Sequence, residues 1–412
     1  MKRLSLLLFT LVFVFSCSKD DENPAPACNI PSNLLVTDIT HNSATITWQN
    51  NNTSTDFNLE YGENGFTPGT GTQANVSGTS YTVNNLLSDT TYDFYVTANC
   101  GNDNLSNSAD VSFSTLQPPV VAEFMPNLSQ LNLFVGDLEN LTPSNRTYNY
   151  DLITPLFTDY AHKQRLIALP SGTSMTYQND GLPSFPDNTV IAKTFYYNVD
   201  ERNESLGKII IETRILIKQN GIWETGNYKW NAEQTDATYT LEGSVVNTSY
   251  IDQNGTTQTL DYEIPSNTDC FQCHNINNIK TPIGPKLRTM NFNNQLEELI
   301  DSGMLTNISN ISSVGALPNW EDDINFNLEE RARAYFDVNC AHCHQPGGSC
   351  SNESNLDFRY ETRFSDTNIY DVRYSIFTRM NSNVDDYSMP LIGTTIIHQE
   401  GVDLIDQYID SL

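Results

Sequence analysis

Between residues 28 and 117 apolar side chains recur at every second position in short runs. Ala44, Ile46 and Trp48 share one face of a run, and Phe57, Leu59 and Tyr61 share one face of the next. A period of two marks a strand with one buried face, and several such runs between polar turns predict a β-sandwich. Gln117-Pro118-Pro119 then reads as a linker. Residues 118–265 form a second β-rich region, with strands expected over 189–199 and 208–218. The latter meets 223–230 through Gln219-Asn220-Gly221, a hairpin turn. Ile209, Ile211, Arg214, Leu216 and Trp223 lie on these hairpin strands. Asp159, His162, Lys163 and Arg165 cluster just upstream and read as a solvated loop.

From residue 266 the period changes. A helix is expected over 295–305, and Leu328, Ala332, Tyr335 and Phe336, spaced i, i+4, i+7 and i+8, predict another. Val402, Ile405, Tyr408, Ile409 and Leu412 predict a closing helix over 401–412. The chain therefore reads as multidomain: a β-sandwich, a second β-rich domain and a mainly α region. The expected boundaries are 1–16 (signal), 17–27 (acidic tether), 28–117, 118–265, 266–327 and 328–412.

Two pentapeptides in the α region carry the chemistry. Cys270-Phe271-Gln272-Cys273-His274 and Cys340-Ala341-His342-Cys343-His344 both read C-x-x-C-H. This spacing lets two thiols add to one haem while the following imidazole ligates the iron. Two C-x-x-C pairs could instead hold a structural zinc or form redox disulfides, but neither alternative accounts for the histidine after the second cysteine. The expectation is two covalent haem c groups, with His274 and His344 as proximal ligands.

Met389, in Ser388-Met389-Pro390 before the closing helix, is the expected sixth ligand of the second haem, over Met380 and His398. For the first haem Met290 leads over Met304, with His162 the other available donor. His342 occupies an x position and is expected to point away from the iron.

The remaining composition places the chain in a cell. Lys2 and Arg3 precede an apolar run over 4–15, long enough for a secretory signal and too short for a mature span. Val14-Phe15-Ser16-Cys17 resembles the lipobox of bacterial lipoproteins, which implies lipidation of Cys17. The following Ser18-Lys19-Asp20-Asp21-Glu22 looks like an outer-surface export signal. Localisation is thus expected at the cell envelope, as an outer-membrane lipoprotein tethered by its lipid. Of the 8 cysteines, Cys350 is left over once lipid, haem and one disulfide are assigned. The net charge of −29, from 50 acidic and 21 basic residues, excludes nucleic acid as the main partner. A redox partner protein is expected to dock through a basic patch of its own.

The run Leu86, Thr90, Tyr92, Phe94, Val96, Ala98 resembles the E–F corner and F strand of fibronectin type III domains, with Tyr92 as the corner tyrosine. In that fold Cys28 and Cys100 come close enough to pair. The order helix, C-x-x-C-H, loop, Met-Pro, closing helix over 328–412 resembles the small cytochrome c fold. From about residue 120 the chain resembles a family of exported diheme c-type cytochromes of unestablished role. That resemblance rests on Pro155-Leu156-Phe157-Thr158-Asp159, Ala192-Lys193-Thr194-Phe195, Glu212-Thr213-Arg214, Tyr228-Lys229-Trp230-Asn231 with Gln234-Thr235-Asp236-Ala237, and both haem motifs. It implies electron transfer without naming a substrate. The other reading is a haem-dependent oxidoreductase, peroxidase-like or substrate-oxidising, whose β-rich domain binds substrate.

Overall fold

The computed structural model describes residues 27–116, 122–384 and 386–412. Cys17 and the 117–121 linker lie outside the described residues. The chain divides into two units, Met1–Gln117 and Pro118–Leu412.

The first unit is a sandwich of two antiparallel sheets. Its strands are β1 (Ser32–Thr37), β2 (Ser43–Gln49), β3 (Asp56–Glu63), β4 (Thr72–Ser77), β5 (Ser80–Asn84), β6 (Thr91–Asn99) and β7 (Leu105–Ser114). They pair in the orders β1-β2-β5 and β4-β3-β6-β7. Alternate residues of β2, β3 and β6 meet between the sheets, where Ala44, Ile46, Phe57, Leu59, Phe94 and Val96 are all at most 2% exposed. Trp48 packs edge-on against Phe57, with ring centroids 5.3 Å apart. The Leu87 N–H donates to the Tyr92 hydroxyl at 2.9 Å, pinning the turn before β6 to the strand that follows it. Cys28 and Cys100 form a disulfide with Cα atoms 5.9 Å apart, closing a loop with a sequence separation of 72.

The second unit is built on a six-stranded antiparallel sheet. Its chain-order strands are β8 (Thr147–Tyr150), β9 (His162–Ala168), β10 (Met175–Thr176), β11 (Val190–Asn198), β12 (Lys208–Gln219), β13 (Ile222–Trp230) and β14 (Ala237–Thr240). All but the short β10 join the sheet, in the order β14-β13-β12-β11-β9-β8. A hairpin of β15 (Ser244–Ile251) and β16 (Thr257–Ile264) follows. One sheet face is continuously apolar: Leu166, Ala168, Val190, Ala192, Ile215, Tyr228 and Trp230 pack there with Leu128, Leu131 and Leu133. The opposite face has two separate clusters. Ile167, Ile191 and Leu216 meet the helical segment at one end, and Phe195, Tyr197, Ile211 and Tyr262 meet the β15–β16 hairpin at the other. Burial on both faces explains why these strands read as dense apolar runs rather than clean alternation.

Six helices follow: α1 (Asn267–Cys273), α2 (Leu287–Met290), α3 (Gln295–Asp301), α4 (Leu328–Asn339), α5 (Ile369–Met380) and α6 (Gln399–Asp410). Between them lie the short strands β17 (Asn275–Ile276), β18 (Ile279–Lys280) and β19 (Leu305–Thr306), the last pairing in parallel with β10. Both helices that carry a motif open on a capping box, Ser266 with Asp269 for α1 and Asn327 with Glu330 for α4. Ala332, Tyr335 and Phe336 of α4 pack with Val402, Ile405 and Tyr408 of α6 and Ile376 of α5. Gly401 is what admits α6 this closely, since a Cβ there would collide with the Tyr335 ring.

Replacing Cys28 or Cys100 by Ser should lower the stability of the sandwich by about 2–4 kcal/mol, because the open chain regains the entropy of the long loop. Calorimetry checks this: the sandwich transition should fall while that of the second unit stays in place.

Candidate functional site

The first motif sits on α1 and its C-terminal end, and the second follows α4 directly. Their loops touch. The Cys343 thiol donates to the Gln272 carbonyl at 3.6 Å, and the Asn277 N–H to the Gly347 carbonyl at 2.8 Å. The ligand atoms of Cys273, His342 and Cys343 all lie within 4.8 Å of one another. Contact with the Cys343 thiol pulls the Cys273 thiol down from its ordinary range, whereas burial pushes the Cys270 thiol up and the Cys340 thiol up to about 12. Cys350 joins this sulfur group. Its N–H donates to the Cys343 carbonyl at 3.2 Å, and the Cys343 sulfur, then burial, raise its thiol.

The two histidines that close the motifs are held neutral. Burial first, then the Lys193 ammonium, push the His274 imidazole down to about 3. Its Nδ1 lies 2.9 Å from the Thr281 carbonyl, which fixes that nitrogen as the donor and leaves Nε2 with a free lone pair. His344 is also lowered, by burial and then His342. Its Nδ1 is buried with no hydrogen-bond partner among the described residues, and its ring meets Phe358 edge-on at 5.5 Å.

His274 opens onto a small cavity of about 50 Å³, well below the usual size of a small-molecule site. Its far wall is the sheet face between the two apolar clusters. There Tyr150, Arg165, Lys193, Arg214 and Asn227 stand side by side on β8, β9, β11, β12 and β13, each paired with the next across the ladder. Asn227 leads back to the first motif, with its Oδ1 4.0 Å from the Cys270 sulfur. Three cations thus stand on three adjacent strands. Phe195, fully buried, receives Arg214 at 4.4 Å, Lys193 at 5.0 Å and Lys163 at 5.9 Å around its ring.

Anions answer only part of this charge. Arg165 pairs with Asp151 at 2.6 Å, and Arg214 with Glu212 at 2.5 Å, whose Oε1 also accepts from Tyr262 at 2.8 Å. Lys163 donates to the Ala161 carbonyl at 2.9 Å, and no hydrogen bond or ion pair holds the Lys193 ammonium among the described residues. Burial, then the Arg214 and Arg165 guanidiniums, push Lys193 down to about 7. Burial followed by Arg165 and Lys193 lowers Lys163 well below its ordinary range.

The Pro155–Asp159 segment is a seam between sheet and helices. The Phe157 N–H donates to Asn339 Oδ1 at 2.9 Å, and its ring stacks on His398 at 4.0 Å with an interplanar angle of 7°. Asp159, 2% exposed, accepts from the Thr395 N–H at 2.9 and 3.0 Å and from its hydroxyl at 2.8 Å. His398 Nδ1 meets the Tyr335 hydroxyl at 2.9 Å, and burial lowers its imidazole to about 4. His398 is therefore a seam residue.

One expected reading changes here. The cluster of Asp159, His162, Lys163 and Arg165 is no solvated loop. Asp159 and Arg165 are buried, Lys163 lines the cavity while half-buried, and His162, half-exposed, is paired with Glu201 at 2.8 Å. Periodicity gave no such signal, because β9 runs four polar residues and then three apolar ones, with Lys163, Arg165 and Ile167 at alternate positions along it. Met290 is 1% exposed, packs among Leu152, Leu287 and Leu299, and is not among the residues lining the cavity beside His274. Met380 is 9% exposed in the helical core, whereas Met389 is half-buried in the loop between α5 and α6, its N–H bonded to the Arg379 carbonyl at 2.9 Å.

The fibronectin type III domain model matches residues 29–114. Residues 29–114 form a fibronectin type III domain. Two solved structures are similar to this chain. One, from a computer-based redesign of a β-sandwich protein, is 26% identical and covers 21% of this chain and 95% of its own, with a TM-score of 0.20. The other, a myokine, is 21% identical and covers 22% and 100%, also with a TM-score of 0.20. No curated protein matches the chain. Nothing in the fibronectin domain has the spacing of a catalytic or metal site, so the candidate chemistry belongs to the second unit.

The cavity's opposite wall rests on Asp337 of α4. Its side chain is fully buried, bonded to Lys286 at 3.1 Å and Arg288 at 2.8 Å, and accepts from the Tyr360 N–H at 3.1 Å. Burial raises its carboxyl, but Lys286 and Arg288 outweigh this and the net shift is downward. The folded-state pKa is thus below the unfolded one, so this stabilisation is complete above about pH 4 and fades as pH falls further. Asp337→Asn should cost about 3 kcal/mol at neutral pH, by leaving Lys286 without its carboxylate and Arg288 with Glu361 alone. Denaturant titrations should show the gap from wild type closing as the pH falls below about 4.

Proposed function

We propose that the chain is a diheme c-type cytochrome that transfers electrons at the cell envelope, tethered through a lipid on Cys17. The observation that carries this reading is the meeting of two C-x-x-C-H loops, each ending in a histidine held neutral by burial. The residues fit the group. His274 keeps Nε2 free through its Thr281 bond, His344 is a half-buried neutral imidazole, and a cationic cavity stands ready for carboxylates beside the first motif. Bound haem would supply one-electron redox chemistry at each site. The chain's own part is to hold Cys270, Cys273, Cys340 and Cys343 for thioether attachment, exclude water from the imidazoles and place the two sites side by side. The α4–α6 packing around the second motif supports a cytochrome c-like reading of 328–412. The acidic surface supports a partner with a basic docking patch.

A second reading has its own observation, the approach of Cys273, His342 and Cys343, which could hold a zinc ion with Cys350 nearby. The two readings exclude each other at Cys273 and Cys343, whose sulfurs would be thioethers in one and thiolate ligands in the other. Metal analysis and a pyridine haemochrome assay on protein matured with the c-type haem machinery separate them. Two covalent haems per chain are expected. About one zinc with no covalent haem would reject the cytochrome reading.

The accessible loop position of Met389 makes it the better sixth ligand for the second haem. Met389→Ala should lower that haem's potential or open its iron to carbon monoxide, leaving attachment intact, because a neutral thioether favours ferrous iron. Met380→Ala should instead destabilise the helical core by about 2–5 kcal/mol. Loss of the ferric sulfur-to-iron absorption band in the Met380 variant alone would reverse the assignment.

A further inference from the structure

The β sheet of the second unit presents an arrangement that packing alone does not explain. Like charges directly opposite on neighbouring strands destabilise a sheet, yet Arg165, Lys193 and Arg214 occupy one continuous row. Among the residues lining the cavity, Lys163, Arg165, Lys193 and Lys286 are cationic, and the single carboxylate, Asp337, is already shared by Lys286 and Arg288. Asp151 answers Arg165 and Glu212 answers Arg214. What remains is two lysines held against Phe195 and facing the cavity onto which His274 opens: Lys163, bonded only to the Ala161 carbonyl and near the Asp159 charge, and Lys193, with no bonded partner among the described residues. Burial and neighbouring cations favour the neutral form of both amines, and a ligand with two negative charges would hold them charged and paired.

We propose that Lys193 and Lys163 bind the two propionate carboxylates of the first haem, so that the β sheet forms one wall of that haem's pocket. This rests on the diheme reading, which provides a dicarboxylate tethered at Cys270 and Cys273, in the motif whose His274 lines the same cavity. The assignment gives the β-rich region a role that needs no separate substrate. It also accounts for the tract Ala192–Phe195 and for Glu212-Thr213-Arg214: Lys193 and Arg214 supply charge, Phe195 the ring that holds them, and Glu212 keeps Arg214 in place. A diffusible oxyanion would satisfy the same charges, and this is the other source that the test must distinguish.

Removing a cation next to a haem favours ferric iron, so the potential should fall. In the fully matured protein, Lys193→Gln should keep both covalent haems. It should lower the potential of the first haem by about a tenfold change in its reduction equilibrium, ~59 mV for one electron, and leave the second haem unmoved. The first haem is assigned as the signal missing from the Cys270→Ala/Cys273→Ala variant, and Lys193→Arg should restore the wild-type value. In the variant lacking the first haem the sign reverses: Lys193→Gln should raise the melting temperature, because repulsion is relieved with no carboxylate lost. That arm still reads out if the matured variant assembles poorly.

Potentials unchanged in Lys193→Gln and Lys163→Gln, with both haems attached, would overturn the proposal. So would a saturable shift of the wild-type haem spectrum on adding inorganic phosphate or nitrite that vanishes in Lys193→Gln, since the cavity would then be open to free anions. Fewer than two covalent haems in the wild type would instead bring down the diheme reading itself, and this assignment with it.

Discussion

Burying positive charge in the middle of a sheet is the constraint on which the second unit turns. An ammonium or guanidinium taken from water loses several kcal/mol of solvation, and a neighbour of the same sign adds to that loss. Arg165, Lys193 and Arg214 meet this cost through Asp151, Glu212 and the face of Phe195, which leaves Lys193 without an ion partner. The rest of the unit is arranged around that row. The apolar clusters close the sheet face on either side of it, the β15–β16 hairpin brings Tyr262 to Glu212, and α1 sets the first motif against Asn227 at the end of the row.

The helical region and the sheet depend on one another through polar contacts. Asp159 caps the 395–396 backbone, Phe157 lies on His398, Thr154 donates to the Pro318 carbonyl at 2.9 Å, and Asp337 binds the α2 cations from α4. Buried polar groups of this kind fix register, because a displaced seam leaves several of them unsatisfied at once. The segments expected as separate domains after residue 118 accordingly pack as one unit. That unity brings Cys273 and Cys343, far apart in the chain, close together.

Much of the site was legible beforehand because its chemistry is local. C-x-x-C-H needs only five consecutive residues, and α4 and α6 show their apolar stripes at helical spacing. The helix α5 was not read, because Tyr370, Val372 and Tyr374 are exposed apolar residues that blur the stripe formed by Ile369, Ile376 and Met380. The short α1 was missed too, although Ser266 and Asp269 form its capping box. The larger misreading was of Lys163 and Arg165, taken as a solvated loop, and of Lys193, given no role of its own. A cation in a strand reads as the solvent-facing member of an alternating pair, and composition cannot tell solvent from a lined cavity.

By itself the sequence determined the spacing of the two C-x-x-C-H motifs, the sandwich over residues 28–117 and the helices that lead into and close the second motif. Each follows from spacing within a few consecutive residues. Only the tertiary structure decided what the second β region contributes. Arg165, Lys193 and Arg214 become neighbours through ladder register, and His274 meets them because α1 folds back across that face. Pairings between strands and helices distant in the chain depend on the free energy of the whole packed unit, which no local pattern encodes.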